Sequence, residues 1–287
     1  MVSTVRAVRE PEWKAAAMTG NGSFVGQESP SKLDTSVPHS ARVWNYWLGG
    51  KDNFAADRVV GDQVRGVYPE IVEMARASRG FLARAVQYLA GEAGVRQFLD
   101  IGTGLPTAAN THEVAQRVAP ESRIVYVDND PLVLVHARAL LTSTGEGTTD
   151  YIEADIRDPD TILQDAAKIL DFSQPVAVMM LGILGHVPDY DAALSAVRRL
   201  LSGVPSGSYL VVNDGTSTSE KITEAARVSN EGGNRYNLRS PEQIARFFDG
   251  LEMVEPGLVS PPLWRPEPSP SGPPVPLDGL CGIGRKP

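Results

Sequence analysis

From residue 98 onward, short apolar runs of β type alternate with segments of helical periodicity, and this alternation limits the fold more than anything else in the chain. The runs Phe98–Ile101, Ile124–Val127, Tyr151–Ala154, Val176–Leu181 and Tyr209–Val212 read as strands. Between them, Asn110–Val118, Pro131–Thr142, Asp160–Leu170 and Tyr190–Leu201 read as helices. Strands that alternate with helices pair in parallel and are joined by right-handed crossovers, so the expected class is α/β.

The flanks differ from this centre. Residues 1–36 read as a flexible tail, with linker-like Gly20-Asn21-Gly22-Ser23 and a second methionine, Met18, as an alternative start. Residues 37–90 read as a helical cap: a stripe of Ala41, Val43, Trp44, Trp47 and Leu48, then helix patterns over Phe54–Val67 and Pro69–Leu89. Residues 91–287 form the α/β part. Near its end Ser240-Pro241-Glu242-Gln243 offers an N-cap, a proline at the first helical position and a capping-box glutamine, and Gly250 offers a stop. Leu251–Val259 and Leu280–Ile283 read as two late strands forming an antiparallel edge pair. Ten of the 22 prolines lie from Pro256 onward, so the stretch around 260–276 reads as a stiff loop.

Composition narrows the partners. The formal net charge of −8 argues against a broad phosphate-binding face, and so against nucleic acid. A single cysteine, Cys281, allows no internal disulfide or cysteine metal cluster and fits a reducing cytoplasm. No apolar run reaches the length of a membrane span, and acidic residues interrupt any signal-peptide core at the N-terminus. The apolar fraction of 42% suffices for a full core.

The first strand runs into Asp100-Ile101-Gly102-Thr103-Gly104, a strand-to-helix turn of the kind that binds cofactors. Its glycines are expected to let backbone N–H groups approach a ligand closely. A dinucleotide fingerprint would place a third glycine at position 107, where Thr107 stands, and Asp100 would repel a pyrophosphate. A cationic ligand fits better; otherwise the glycines make a purely structural turn. Asp128 ends the second strand 24 residues after Gly104, where an acid can accept both hydroxyls of a ribose. Asp130, before Pro131, reads as a helix cap. Asn129 either meets an adenine edge or merely turns the chain.

The segment Pro38-His39-Ser40-Ala41-Arg42-Val43-Trp44-Asn45-Tyr46-Trp47-Leu48-Gly49-Gly50-Lys51-Asp52-Asn53-Phe54 resembles the leading motif of an actinobacterial S-adenosyl methyltransferase family, formerly a domain of unknown function. Gln97–Thr107, Val125–Pro131, Phe247-Phe248-Asp249-Gly250-Leu251 and Trp264-Arg265-Pro266 also resemble it, so the likeness spans about 36–287. Asp-x-Gly-x-Gly at 100–104 resembles the first motif of class I S-adenosylmethionine-dependent methyltransferases. The resemblance implies a seven-stranded, mostly parallel Rossmann-like sheet with an antiparallel last strand, and S-adenosylmethionine as cofactor with S-adenosylhomocysteine as product. Asp100 would then reach the methionyl ammonium, and Asp155 the adenine amino group, with Ile156 covering the ring. Alternatively, Asp155 and Ile156 form an ordinary solvated cap. The backbone at Leu181 would line the methionine.

Catalytic residues are less legible. The resemblance implies a Leu-His pair where this chain has Leu184-Gly185, so His186 is displaced by one. It is a weak base candidate, as is Tyr236 in Gly232-Gly233-Asn234-Arg235-Tyr236. The cap motif, with its glycines beside polar residues, reads either as a lid, with Tyr46, Gly50 and Asn53 as preferred contacts, or as plain packing. The reading that follows is a methyltransferase acting on a small molecule. The alternatives are a cofactor-binding regulatory or interaction protein without turnover and, least favoured, a nicotinamide-dependent dehydrogenase.

Overall fold

A computed structural model of the chain describes residues 34–107, 109–140, 145–268 and 272–287. Most of the tail read at 1–36, with Met18, lies outside the described residues, as do parts of the helix read to Thr142 and of the loop at 260–276.

Seven strands form one sheet: β1 (Gln97–Ile101), β2 (Arg123–Asp128), β3 (Thr148–Glu153), β4 (Ala177–Leu181), β5 (Tyr209–Gly215), β6 (Glu252–Met253) and β7 (Gly279–Arg285). Their order is β3-β2-β1-β4-β5-β7-β6. β1 to β5 pair in parallel, and β7 runs antiparallel to both β5 and β6. This is the mostly parallel sheet with a reversed last strand that the resemblance implies. The strand read over Leu251–Val259 is shorter than expected. Only Glu252–Met253 pairs, and Val259 returns as a single bridge to Cys281. Pro256 has no N–H to give to a ladder, and Gly257 at φ +85° turns the chain out of register.

Alternation along the strands divides the core. Leu99, Ile101, Val125, Val127, Val178 and Met180 face α6 (Pro159–Ala166) and α7 (Tyr190–Ser202). Phe98, Ile124, Tyr126 and Met179 face α3 (Ile71–Gly91) and α4 (Thr111–Val118). The helix ends use their expected caps. Asp189 accepts from the Ala192 amide at 2.8 Å, and Ser240 and Gln243 form the capping box read from the sequence.

The N-terminal helices α1 (Ser40–Trp47), α2 (Ala55–Val67) and α3 belong to the same compact unit as the sheet. Val43, Trp47, Val60, Val64, Tyr68, Ile71 and Met74 pack with Ile222 and Ala225 of α8 (Glu220–Glu231). The sequence reading did not place α8. Its Ser219 cap and the spacing of Ile222, Ala225 and Val228 carry the signal, in a segment otherwise rich in polar residues. Among the described residues, no helix is long and apolar enough to cross a membrane.

Candidate functional site

The carboxyl ends of β1, β2, β4 and β5 open into a pocket roofed by the cap helices and α8. Gly102, Thr103, Gly104, Asp100, Asp128, Asn129 and Leu181 line one side. Trp44, Trp47, Leu48, Met74, Leu82, Ile222 and Leu238 line the other. A crevice beyond the carboxyl ends of the strands is the usual ligand site of an open α/β sheet.

The glycine turn works differently from the expectation. The amides of Gly102 and Thr103 donate to Val127 O at 2.8 and 3.3 Å, and that of Gly104 donates to Asp128 Oδ2 at 2.8 Å. The turn therefore spends its donors on β2 and does not hold them out to a ligand. Gly102 and Gly104 have φ of +73° and +65°, where a side chain is strained. At Gly102 a Cβ would also lie 2.6 Å from Ile183. The first turn of α4 is likewise occupied: the Asn110 amide donates to Glu113 and the His112 amide to the Tyr126 hydroxyl. Such a rim offers carboxylate oxygens. It suits a ligand that brings donors, such as an ammonium or ribose hydroxyls, and not a pyrophosphate.

Asp100 and Asp128 supply those oxygens. Both are buried. Asp100 Oδ2 accepts from Thr111 Oγ1 at 2.6 Å, and burial pushes its carboxyl up to about 6 against the pull of that hydroxyl and of Arg79. Asp128 accepts from Gly104 through Oδ2 and from the Asp130 amide through Oδ1 at 3.0 Å. One lone pair on each oxygen stays available for a further donor. Burial also raises Asp128. The donor set of S-adenosylmethionine thus fits the residues present. Asp130 is the cap the sequence suggested, accepting from Leu132 N at 2.9 Å.

Asp155 and Ile156 do not line the pocket. Arg157 grips Asp155 with two hydrogen bonds of 2.6 and 2.8 Å and, aided by Asn129 at 3.0 Å, holds its carboxyl down at about 2. Ile156 is buried in the sheet core. The preferred contacts in the cap motif also stand elsewhere. The Tyr46 hydroxyl donates to Asp62 at 2.7 Å. Asn53 donates to Asn45 Oδ1 and Gly50 O at 2.9 and 3.0 Å. A Cβ on Gly50 would overlap the Asn45 side chain, so Gly50 is packed into this knot; the positive φ belongs to Gly49. The motif reaches the pocket instead through Ser40, Ala41, Trp44, Asn45, Trp47 and Leu48.

On the β5 side stand His186 and Tyr236, which the sequence singled out, and Asp214, which it did not. Burial lowers the His186 imidazole to about 4, so it is neutral near pH 7. Its Nδ1 lies 2.7 Å from Arg235 O and must be the donor, which leaves Nε2 as an acceptor. The Tyr236 hydroxyl donates to Asp214 Oδ1 and accepts from Gly215 N. A Cβ on Gly185 would overlap the Tyr236 ring, so glycine at this position makes room for the tyrosine.

The sequence profile of the S-adenosyl methyltransferase family matches residues 26–287. The chain belongs to that family. A DUF574 family protein of Streptomyces avermitilis is 44% identical to it, over 89% of this chain and 100% of that one, with a TM-score of 0.86. A proposed methyltransferase of Thermobifida fusca is also 44% identical, over 90% and 98% of the two chains, with a TM-score of 0.82. No curated protein matches the chain. This methyltransferase has the class I fold, and its cofactor is S-adenosylmethionine.

Proposed function

We propose that this methyltransferase transfers the methyl group of S-adenosylmethionine to a small molecule held in the pocket beneath the cap helices. One observation carries the reading: two buried carboxylates at the ends of β1 and β2 open into the same pocket as an apolar chamber walled by Trp44, Trp47 and Leu48. The cofactor supplies a methyl group already activated on a sulfonium. What remains for the chain is to hold, align and exclude water.

In this reading Asp100 receives the methionyl ammonium and Asp128 the ribose hydroxyls. Asn129, oriented by Asp155, meets the adenine edge, and the backbone at Leu181 passes along the methionine. Tyr46, Gly50 and Asn53 shape the cap, while His186 and Tyr236 border the acceptor. The pocket's enclosure beneath α1, α2, α3 and α8 favours a small acceptor over a polymer. Incubation with labelled S-adenosylmethionine and a panel of small acceptors tests turnover. Labelled product with S-adenosylhomocysteine release is expected; cofactor binding without transfer to any small acceptor, but with transfer to a protein or nucleic acid, would contradict the reading.

A further inference from the structure

The acids at the cofactor end of the pocket can hold a cation, but S-adenosylmethionine also brings an anion. Its carboxylate sits on the same carbon as its ammonium. Asp100 and Asp128 line the pocket and are buried, so each would repel that carboxylate unless a positive charge stands beside it. The backbone near them has given its donors away. The amides of Gly102, Thr103 and Gly104 go to β2, and those of Thr107, Asn110 and His112 go to Asn110 Oδ1, Glu113 and the Tyr126 hydroxyl.

Among the described residues that line the pocket, Arg79 of α3 is the one arginine or lysine. It is half-buried, and its Nη2 donates to Ala109 O at 3.0 Å and reaches Asn110 Oδ1 at 3.5 Å. The next residue, Thr111, donates to Asp100 Oδ2 at 2.6 Å. Three consecutive residues, Ala109 to Thr111, therefore fix both a cation and an anion at the same end of the pocket. Ala109 has φ of +59°, a left-handed conformation that costs a residue with a side chain, so the carbonyl that Arg79 grips is turned against local preference. Burial lowers the Arg79 guanidinium from its ordinary value, and the charges of Asp100, Tyr126 and Glu113 pull the other way. An arginine remains charged under such a shift.

We infer that Arg79 receives the carboxylate of the cofactor's methionyl group, as the counterpart of Asp100 on its ammonium, and so selects the intact amino acid over its decarboxylated form. The inference rests on the cofactor placement proposed above. An α-amino-acid head carries opposite charges on one carbon, and Asp100 and Arg79 offer the complementary signs from adjoining supports. The sign of the selectivity is diagnostic. Asp100 and Asp128 alone would favour the decarboxylated ligand, which carries more net positive charge. With Arg79 present, that ligand leaves a partly desolvated guanidinium without its anion and should bind worse.

The test is calorimetry on the full chain with S-adenosylhomocysteine, its decarboxylated form S-adenosyl-3-thiopropylamine, and methylthioadenosine, which lacks the whole amino-acid head. The wild type is expected to bind S-adenosylhomocysteine at least about tenfold tighter than the decarboxylated form, the worth of one hydrogen bond between charged groups. Arg79→Gln keeps a donor for Ala109 O and removes the charge. It should weaken S-adenosylhomocysteine at least about tenfold, leave methylthioadenosine within about twofold, and abolish or reverse the preference. A loss shared equally by all three ligands would make Arg79 only a support of the loop at 109–111 and overturn the inference. Equal binding of the two amine-bearing ligands to the wild type, or a preference that survives in Arg79→Gln, would overturn it too. If Arg79→Gln does not fold, Arg79→Lys decides. Its shorter point charge cannot reproduce the planar guanidinium pair, so the preference should shrink, and an undiminished preference would overturn the inference. Failure of all three ligands to bind the wild type would instead overturn the cofactor placement beneath it.

Discussion

Asp128 does two things with one carboxylate. It closes the glycine turn by accepting from Gly104 and Asp130, and in the proposed reading it also takes the ribose. Asp128→Asn should therefore weaken S-adenosylhomocysteine binding by at least about tenfold and also lower the Tm, because two amides lose part of their partner. An unchanged affinity with a lowered Tm would leave Asp128 a structural cap. Asp100 makes a separable prediction. Burial raises its carboxyl to about 6, and an ammonium pairs only with the ionised form. S-adenosylmethionine affinity should rise with pH through about 6 and level off above it, with proton release on binding below that point. A flat profile between pH about 5 and 7 would place the ammonium elsewhere. The strand-end acids were legible because strand, glycine and acid come in a fixed order along the chain. The partners of Gly50 and Tyr46, Asn45 and Asp62, were not legible because they are chosen by three-dimensional packing. Asp214 was overlooked because an acid after an apolar run also reads as a simple turn residue; only its burial distinguishes it.

At the scale of elements, α1 is held over the cofactor side by a polar latch. His39 Nδ1 lies 3.0 Å from Asp130 Oδ2, and buried Arg42 lies between Asp130 and Asp57 at 3.7 and 3.6 Å. His136 Nε2 lies 3.2 Å from Asp52, tying the glycine loop to α5 (Pro131–Leu140). Asp130 also donates its amide to Asp128, so the latch and the proposed ribose acid share a loop. Residues 40–53 should gain protection from hydrogen exchange when S-adenosylhomocysteine binds; unchanged protection would mean that α1 is a fixed wall. Gly50→Val should lower the Tm by displacing Asn45, while the folded fraction keeps its cofactor affinity. Loss of affinity without loss of stability would return Gly50 to the ligand. Helix α8 is the element least visible in the sequence: its polar face and the Gly232-Gly233 that follows mask a short apolar stripe. That stripe is nevertheless what closes the chamber, through Ile222, Ala225 and Ala226.

For the whole molecule, the β-α alternation carried the architecture because every crossover needs a strand, a helix and two turns in a set order. The edge strand was read too long: it was expected over Leu251–Val259, and β6 pairs over only two residues at the edge. One global property follows from the pocket. Asp100 and Asp214 have folded values raised to about 6 and about 7 from an unfolded value of 3.8. Between these values the native state binds more protons than the unfolded one, so stability without ligand should fall as pH rises from about 4 to 7. The central claim is that the carboxyl ends of β1 and β2 bind S-adenosylmethionine through Asp100 and Asp128. Calorimetric titration of the wild type, Asp100→Asn and Asp128→Asn with S-adenosylmethionine at neutral pH tests it most directly. The account predicts one site per chain, weakened at least about tenfold by either substitution. No binding to the wild type, or full affinity in both variants while they remain folded, would contradict it.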